Sequence, residues 1–175
     1  MSIFAYDNEY EDVFVFEDLV YAMERQHRVV HVYRNRNNSL IKLHDVRYPC
    51  GCSNRYPHSI IVTNEHIIQC CDRDKLVSIL DRSGELLRKI PIAYILIYVH
   101  EPILRQVDVQ GNFLISDCAS NLLAVGNAYQ PTSEWGVVDF ADSPGSDSCR
   151  GAVWFRHRLY VASRHGHLLT FAPLD

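Results

Sequence analysis

The chain has 175 residues, 47% of them hydrophobic and 22% charged. This is the size and composition of one ordinary globular domain, which excludes a disordered or low-complexity chain. The formal net charge of −4 excludes a global basic field of the kind that draws nucleic acid.

In chain order, the sequence opens on Ser2 to Tyr10, which contains Ile3, Phe4 and Tyr6. Short alternating runs rich in Val, Ile, Leu, Tyr and Phe follow, separated by Asn, Asp, Gly and Ser. That pattern predicts β-strands joined by tight turns. The first group is strand A at Val13 to Phe16, a turn at Glu17-Asp18, strand B at Leu19 to Glu24, strand C at Arg28 to Tyr33 and strand D at Ser39 to Leu43. The second repeats it at Ser59 to Val62, Ile67 to Asp72, Lys75 to Leu80 and Glu85 to Ile90, with turns at Asn64-Glu65 and Asp81-Arg-Ser-Gly84. The third has Arg105 to Val109, a turn at Gln110-Gly-Asn112, then Asn112 to Asp117, Asn121 to Gly126 and Trp135 to Phe140. The fourth has Gly151 to Phe155, a turn at Arg156-His-Arg158, Leu159 to Ser163 and His167 to Ala172, with no D strand. Gly and Asn suit such turns because they tolerate positive φ. Strand B ends on a polar residue each time, acidic at Glu24, Asp72 and Asp117 and serine at Ser163.

Corresponding apolar positions in strand C are Val32, Ile79, Val125 and Phe171, at gaps of 47, 46 and 46 residues. A repeat of that length points to a solenoid or propeller. Four antiparallel strands joined by hairpins make one propeller blade. The expectation is therefore an all-β, β-propeller-like single domain, 1–175, with four-stranded blades at about 11–46, 57–92, 103–142 and 149–175. Ser2 to Tyr10 is the candidate closing strand of the last blade, removing an exposed sheet edge. The rival reading is a piece of a larger propeller. Pro91 to Glu101 fits the repeat less well, and Asn127 to Glu134 and Asp139 to Ser148 read as loops.

The repeats resemble the NHL repeat, a propeller unit found in many ubiquitin-ligase-associated and RNA-binding proteins. The copies that carry the resemblance are Ile67 to Leu87 and Phe113 to Val125, with Val20 to Tyr33 a variant that has Glu24 at the acidic position. The family usually closes with six blades, and four are readable here. RING and B-box cysteine-histidine arrays are absent, so the resemblance implies no ligase activity.

In a propeller the B–C turns and the D-to-A connections share one face. That face is expected to carry Arg25, His27, Arg28, Arg47, Tyr48, Arg55, Tyr56, Arg73, Lys75, Arg164 and His165. Loops on a rigid scaffold suit recognition, and Arg and Tyr are frequent at binding hot spots. The expected function is recognition of a protein or peptide. The alternative is single-stranded RNA held by phosphate contacts and base stacking on the same residues. Glu24, Asp72 and Asp74 in the same turns oppose a strong cationic field.

Enzyme motifs are weak. Cys50-Gly-Cys52 is tighter than common zinc spacing, and Cys70 and Cys71 alternate across a strand. His165 and His167, two apart in an extended strand, would share one side, but no position matches the motif of the metal-dependent lyases among NHL-like propellers. No phosphate loop or nucleophile elbow occurs. Trp135 and Trp154 read as blade packing. No cofactor and no metal are expected.

The longest apolar run, Ile90 to Val99, contains Pro91 and falls short of the roughly 20 residues that a spanning helix needs. Met1 to Glu17 carries Asp7, Glu9, Glu11 and Asp12 and has no basic region followed by an apolar one. The expected location is the cytoplasm, with no membrane partner and with Cys50, Cys52, Cys70, Cys71, Cys118 and Cys149 as free thiols.

Overall fold

The computed structural model describes residues 10–24, 29–37, 39–47, 57–71, 75–92, 102–107, 111–117, 121–127, 129, 135–140, 149–156 and 158–171. Among them every regular element is a β-strand. The chain divides into two compact units, Met1–Lys89 and Ile90–Asp175. The proposed closing strand, Ser2 to Tyr10, lies outside the described residues except for Tyr10, which opens the first strand.

Unit one holds two blades. The first runs β1 (Tyr10–Phe16), β2 (Leu19–Glu24), β3 (Val29–Arg36) and β4 (Ser39–Arg47), in that order across the sheet. The second runs β5 (Pro57–Val62), β6 (His66–Cys71), β7 (Leu76–Asp81) and β8 (Leu86–Pro91). Unit two holds a third blade, β9 (Pro102–Val107), β10 (Asn112–Asp117), β11 (Leu122–Asn127) and β12 (Gly136–Asp139). Its other sheet has three strands among the described residues, β13 (Cys149–Phe155), β14 (Arg158–Ser163) and β15 (Leu168–Phe171). These are antiparallel sheets of the β-propeller kind.

The register explains the repeat. Tyr21 pairs with Val32, Ile68 with Ile79, Leu114 with Val125 and Leu159 with Phe171. Val32, Ile79 and Val125 thus face the third residue of their second strands, whereas in the fourth blade that site pairs Tyr160 with Thr170, and the expected Phe171 is one position on, against the second residue, Leu159. The second strand is the most buried of each sheet; in β2, β6 and β10 five consecutive residues are buried. Successive side chains in a strand point to opposite faces, so these strands are covered on both sides. Each fully buried Ile or Leu contributes about 2 kcal/mol, against ~0–1 kcal/mol for an exposed ion pair. Apolar burial of this strand therefore dominates the energetics of a blade.

Within unit one the two blades are locked by specific bonds. The Asp12 carboxylate on β1 accepts from the Ile60 amide on β5 at 2.9 Å. Arg82, in the β7–β8 turn, donates to the Tyr21 hydroxyl and to the Thr63 carbonyl. Its guanidinium also lies 5.5 Å from the Phe16 ring centre and 5.1 Å from that of Tyr21. The turn that aims Arg82 is held by Asp81, whose Oδ1 accepts from the Ser83 amide, the Ser83 hydroxyl and the Glu85 amide at 2.7–2.9 Å. Those bonds, the Ser83 hydroxyl first, hold the Asp81 carboxyl below the usual range.

Several sequence expectations are corrected. Strand A of the third blade starts at Pro102 and ends at Val107, because its apolar alternation extends upstream of Arg105. Three turns carry positive φ on residues other than Gly or Asn, at Glu17 (56°), Lys75 (48°) and Arg156 (48°). The end of strand B is acidic in two blades rather than three. Cys71 closes β6, and Asp72 falls beyond it, outside the described residues.

Trp135 packs in the third blade as expected. It is 8% exposed and meets Phe113 edge-on at 5.8 Å between ring centres. A Cβ added to Gly126 would overlap the Trp135 indole. Gly126→Ala is therefore expected to destabilise the protein by about 1–3 kcal/mol through overpacking. Chemical denaturation followed by Trp fluorescence measures this; an unchanged midpoint would contradict the packing described.

Candidate functional site: the turn-bearing ends of the blades

One end of each blade carries its B–C turn. In the first blade Glu24 pairs with Val29, and Val29 pairs with Arg47. The exposed Arg47 therefore stands beside the 25–28 connection. In the second blade Cys71 pairs with Leu76, and Lys75 immediately precedes that strand with φ at 48°. In the fourth, Arg164 and His165 form the turn between β14 and β15, closed by Gly166 at φ 84°. The Ser163 amide donates to the His167 carbonyl at 2.9 Å and the Gly166 amide to the Ser163 carbonyl at 3.2 Å.

Arg47, Lys75, Arg164 and His165 thus each occupy the turn-bearing end of their own blade. Arg25, His27, Arg28, Tyr48, Arg55, Tyr56 and Arg73 lie outside the described residues. His165 and His167 flank a tight turn and are not successive residues on one side of a strand, so the alternation that grouped them does not apply. Gly166 between them reverses the chain.

Beneath the first turn lies a polar cluster that sequence reading missed. His31, on β3, is buried between two carboxylates. Its Nε2 is 3.1 Å from Glu24 Oε2 and its Nδ1 is 2.7 Å from Asp45 Oδ1. Lys42 reaches the same Asp45 oxygen at 2.8 Å. Tyr10 and Tyr33 set their rings edge-on to His31, with centres 6.0 and 6.3 Å away, and their hydroxyls are 3.1 Å apart. Burial, then the hydrogen bond to Tyr10, pushes the Tyr33 phenol well above its ordinary range. Burial also pushes the Asp45 carboxyl up, but the bonds from Lys42 and His31 outweigh it and hold that carboxyl below the usual value of 3.8.

The cluster ties β1, β2, β3 and β4 together at the end from which the first turn springs. Its donors and acceptors face one another, so it acts as a clamp on the strand ends.

A second feature also escaped sequence reading. The first strand of every blade is bulged. The extra residue is Glu11 in β1, His58 in β5, Arg105 in β9 and Arg150 in β13. In blades one, two and four the bulge sits at the last pair before the B–C turn; in blade three it lies two pairs further in. A bulge re-aims a side chain and bends its strand. Here it places polar residues at the turn-bearing end. Arg105 uses its Nε to donate to Ser116 Oγ at 2.6 Å, while Arg150 is exposed. The signal was available: Tyr10-Glu-Asp-Val13, Pro57-His-Ser-Ile60 and Cys149-Arg-Gly-Ala152 all put a polar residue second, just before an apolar run.

Cys70, Cys71 and Cys149 are buried thiols. Among the described residues no group of three or more His, Cys, Asp or Glu side chains is arranged to hold a metal, and no helix is long and apolar enough to cross a membrane. Cys50 and Cys52 lie outside the described residues.

By sequence the chain matches no protein-family model and no curated protein. By structure it is similar to several solved proteins. The computationally designed Ika4 protein aligns with a TM-score of 0.60 at 7% identity, over 99% of this chain and 96% of Ika4. A Bacteroides caccae protein of unknown function gives 0.67 at 12%, over 96% of this chain and 65% of that one. The Neurospora crassa Pan2 WD40 domain gives 0.63 at 11%, over 96% of this chain and 48% of that one. These likenesses support a β-propeller, WD40-like fold. The chain spans about half the length of the Pan2 domain.

The clamp generates a prediction. His31→Ala removes one partner of the buried Glu24 and one of Asp45 and is expected to cost about 1–3 kcal/mol. Asp45, with its folded value lowered, contributes stability that is present above its unfolded value and lost as pH falls through the folded one. Asp45→Asn is therefore expected to flatten the loss of stability at pH values below about 4. Urea unfolding across acid pH checks both; an unaltered acid limb would refute the clamp.

Proposed function

We propose that this protein is a non-enzymatic recognition module of the NHL type that binds a protein or peptide at the turn-bearing ends of its blades. The observation that carries this reading is the consistent placement of Arg47, Lys75, Arg164 and His165 at those ends. The bulges add Glu11 in the first of these blades and the exposed Arg150 in the fourth. Turns on a rigid all-β scaffold hold their shape, and exposed Arg offers planar, two-pronged hydrogen bonding to carboxylates. Propeller folds such as the WD40 domain of Pan2, which this chain resembles in structure, commonly serve as interaction scaffolds.

Protein is favoured over RNA by charge. The chain is net negative, and in the first blade Lys42 pairs with Asp45 and Arg34 with Asp18. Phosphate-driven binding needs several uncancelled cations. Photo-crosslinking in cells separates the two. A photoreactive residue in place of Lys75 or Arg164 is expected to yield peptide adducts. One in place of Asn37, in the C–D turn at the other end of the first blade, is expected to yield none. Adducts to RNA alone, sensitive to salt and to Arg25→Glu with Arg73→Glu, would replace this reading with the RNA one.

A further inference from the structure

The other end of the first blade carries a feature that the recognition reading does not use. Two serines in the chain have Arg or Lys both five and three residues ahead of them, Ser39 (Arg34, Arg36) and Ser78 (Arg73, Lys75). A bulky apolar residue follows each, Leu40 and Ile79. Cations at fixed distances before a serine are what an arginine-directed protein kinase reads, by charge pairing in its substrate groove. Spacing alone does not choose between the two serines; the fold does.

Ser78 is the third residue of β7, an inner strand of its sheet. It pairs with Gln69 on β6, and β8 flanks the other side. Its neighbours Val77 and Ile79 are buried. Reaching it would mean taking the sheet apart. Ser39 is exposed and opens β4, the last strand in its sheet's order. β3 ends at Arg36 and β4 begins at Ser39, so Asn37 and Asn38 connect them. Asn37 has a φ of 50°, the left-handed conformation that two-residue hairpin loops use and asparagine tolerates. From Asn35 to Asp45 the described residues are exposed, apart from the half-buried Leu40. A tip that buries so little apolar surface opens locally at small cost, and an extended substrate segment requires such opening.

The register adds a second observation. Arg36 pairs directly with Ser39, and Arg34 with Ile41. Alternate residues share a face, so Arg34, Arg36, Ser39 and Ile41 lie on one face of the hairpin. Directly opposed side chains start about 5 Å apart, well within the reach of an arginine. Arg34 Nε lies 3.1 Å from Asp18 Oδ2, so the exposed Arg36 is the residue that a phosphate on Ser39 would meet first.

We propose that Ser39 is a phosphorylation site for an arginine-directed protein kinase, and that Arg36 clamps its phosphate across the hairpin. The Ser39 hydroxyl attacks the γ-phosphorus of ATP. The Oγ–P bond forms as the bond to the β–γ bridging oxygen breaks, ADP leaves, and the kinase's base takes the hydroxyl proton. The product carries about −1.5 to −2 charges at pH 7, and its bonds to a guanidinium are of the strong, charge-assisted kind. The modified tip is therefore tighter than the unmodified one. The site lies at the opposite end of the blade from the B–C turn, so it stands apart from the recognition reading.

The test incubates the full chain with ATP, magnesium and the catalytic domain of an arginine-directed serine kinase, and maps phosphate by mass spectrometry. Phosphate on Ser39 and none on Ser78 is expected. Ser39→Ala is expected to abolish that labelling and Arg36→Ala to slow it at least about tenfold; both residues are exposed, and circular dichroism checks that the variants fold. In the phosphorylated chain the amides of residues 34–41 are expected to exchange more slowly with solvent. Phosphorus NMR is expected to show the phosphate losing its second proton at lower pH than in a free phosphopeptide of residues 32–43, because a facing cation favours the dianion. Arg36→Ala, phosphorylated by longer incubation, is expected to lose both effects. A chain that stays unmodified while the 32–43 peptide is phosphorylated would overturn the proposal, since the tip would not open. So would phosphate on Ser78 or another serine in place of Ser39. Unchanged exchange and titration after phosphorylation would overturn the clamp. Asn37-Asn-Ser39 also fits the acceptor sequence for an N-linked sugar; a glycan on Asn37 in protein from its native cells would assign the tip to that modification instead.

Discussion

A strand buried on both faces is the constraint around which each blade is organised. The second strand has sheet neighbours on both sides and packing on both faces, so it admits almost nothing but apolar side chains. Polar groups on it need internal partners, because an unpaired buried polar group costs on the order of 1–3 kcal/mol. Glu24 meets His31, and Ser116 meets Arg105. Both recruit a charged or polar residue from a neighbouring strand, whereas Gln69 on β6 keeps a buried side-chain nitrogen without a hydrogen bond among the described residues.

That constraint also decides what the sequence could reveal. The second and third strands were legible because continuous burial and fixed hairpin length keep their apolar positions at a constant gap. Tyr21–Val32 and Leu114–Val125 could be matched by eye. The first strands were harder, since one extra residue breaks the alternation; Arg105 was taken as the start of a strand whose bulge it forms. The fourth strands face outward and mix polar with apolar side chains, so their ends were fixed only by the structure. The first of them runs to Arg47, past the expected Leu43, because an irregularity between Val32 and Tyr33 resets its pairing. The His31 clamp was invisible for a different reason. Its members are spread over four strands, from Tyr10 to Asp45, and no spacing rule links them.

The site was half legible. Turn positions follow from the repeat, and Arg47, Lys75, Arg164 and His165 each stand at the turn-bearing end of their own blade. The error at Asp72 shows the limit of alignment by residue type. Aligning an acid with an acid moved the end of the strand by one position, whereas cross-strand register puts Cys71 there. One residue is enough to exchange buried for exposed.

Charge compensation separates the first blade from the fourth, and it is the step that links fold to recognition. In the first blade Lys42 and His31 share Asp45, and His31 also holds Glu24. Lys42 is thus neutralised by a neighbour on its own strand, and Arg34 by Asp18 in the β1–β2 turn, while Arg47 stays exposed. Residues 149–171 of the fourth blade hold four arginines and no Asp or Glu. Exposed arginines lose little on being paired, since the guanidinium is weakly hydrated and its planar fork is already arranged for two bonds. A net charge summed over the whole chain averages these two situations away. Blade by blade, fixed carboxylate partners mark the first sheet, while arginines dominate residues 149–171.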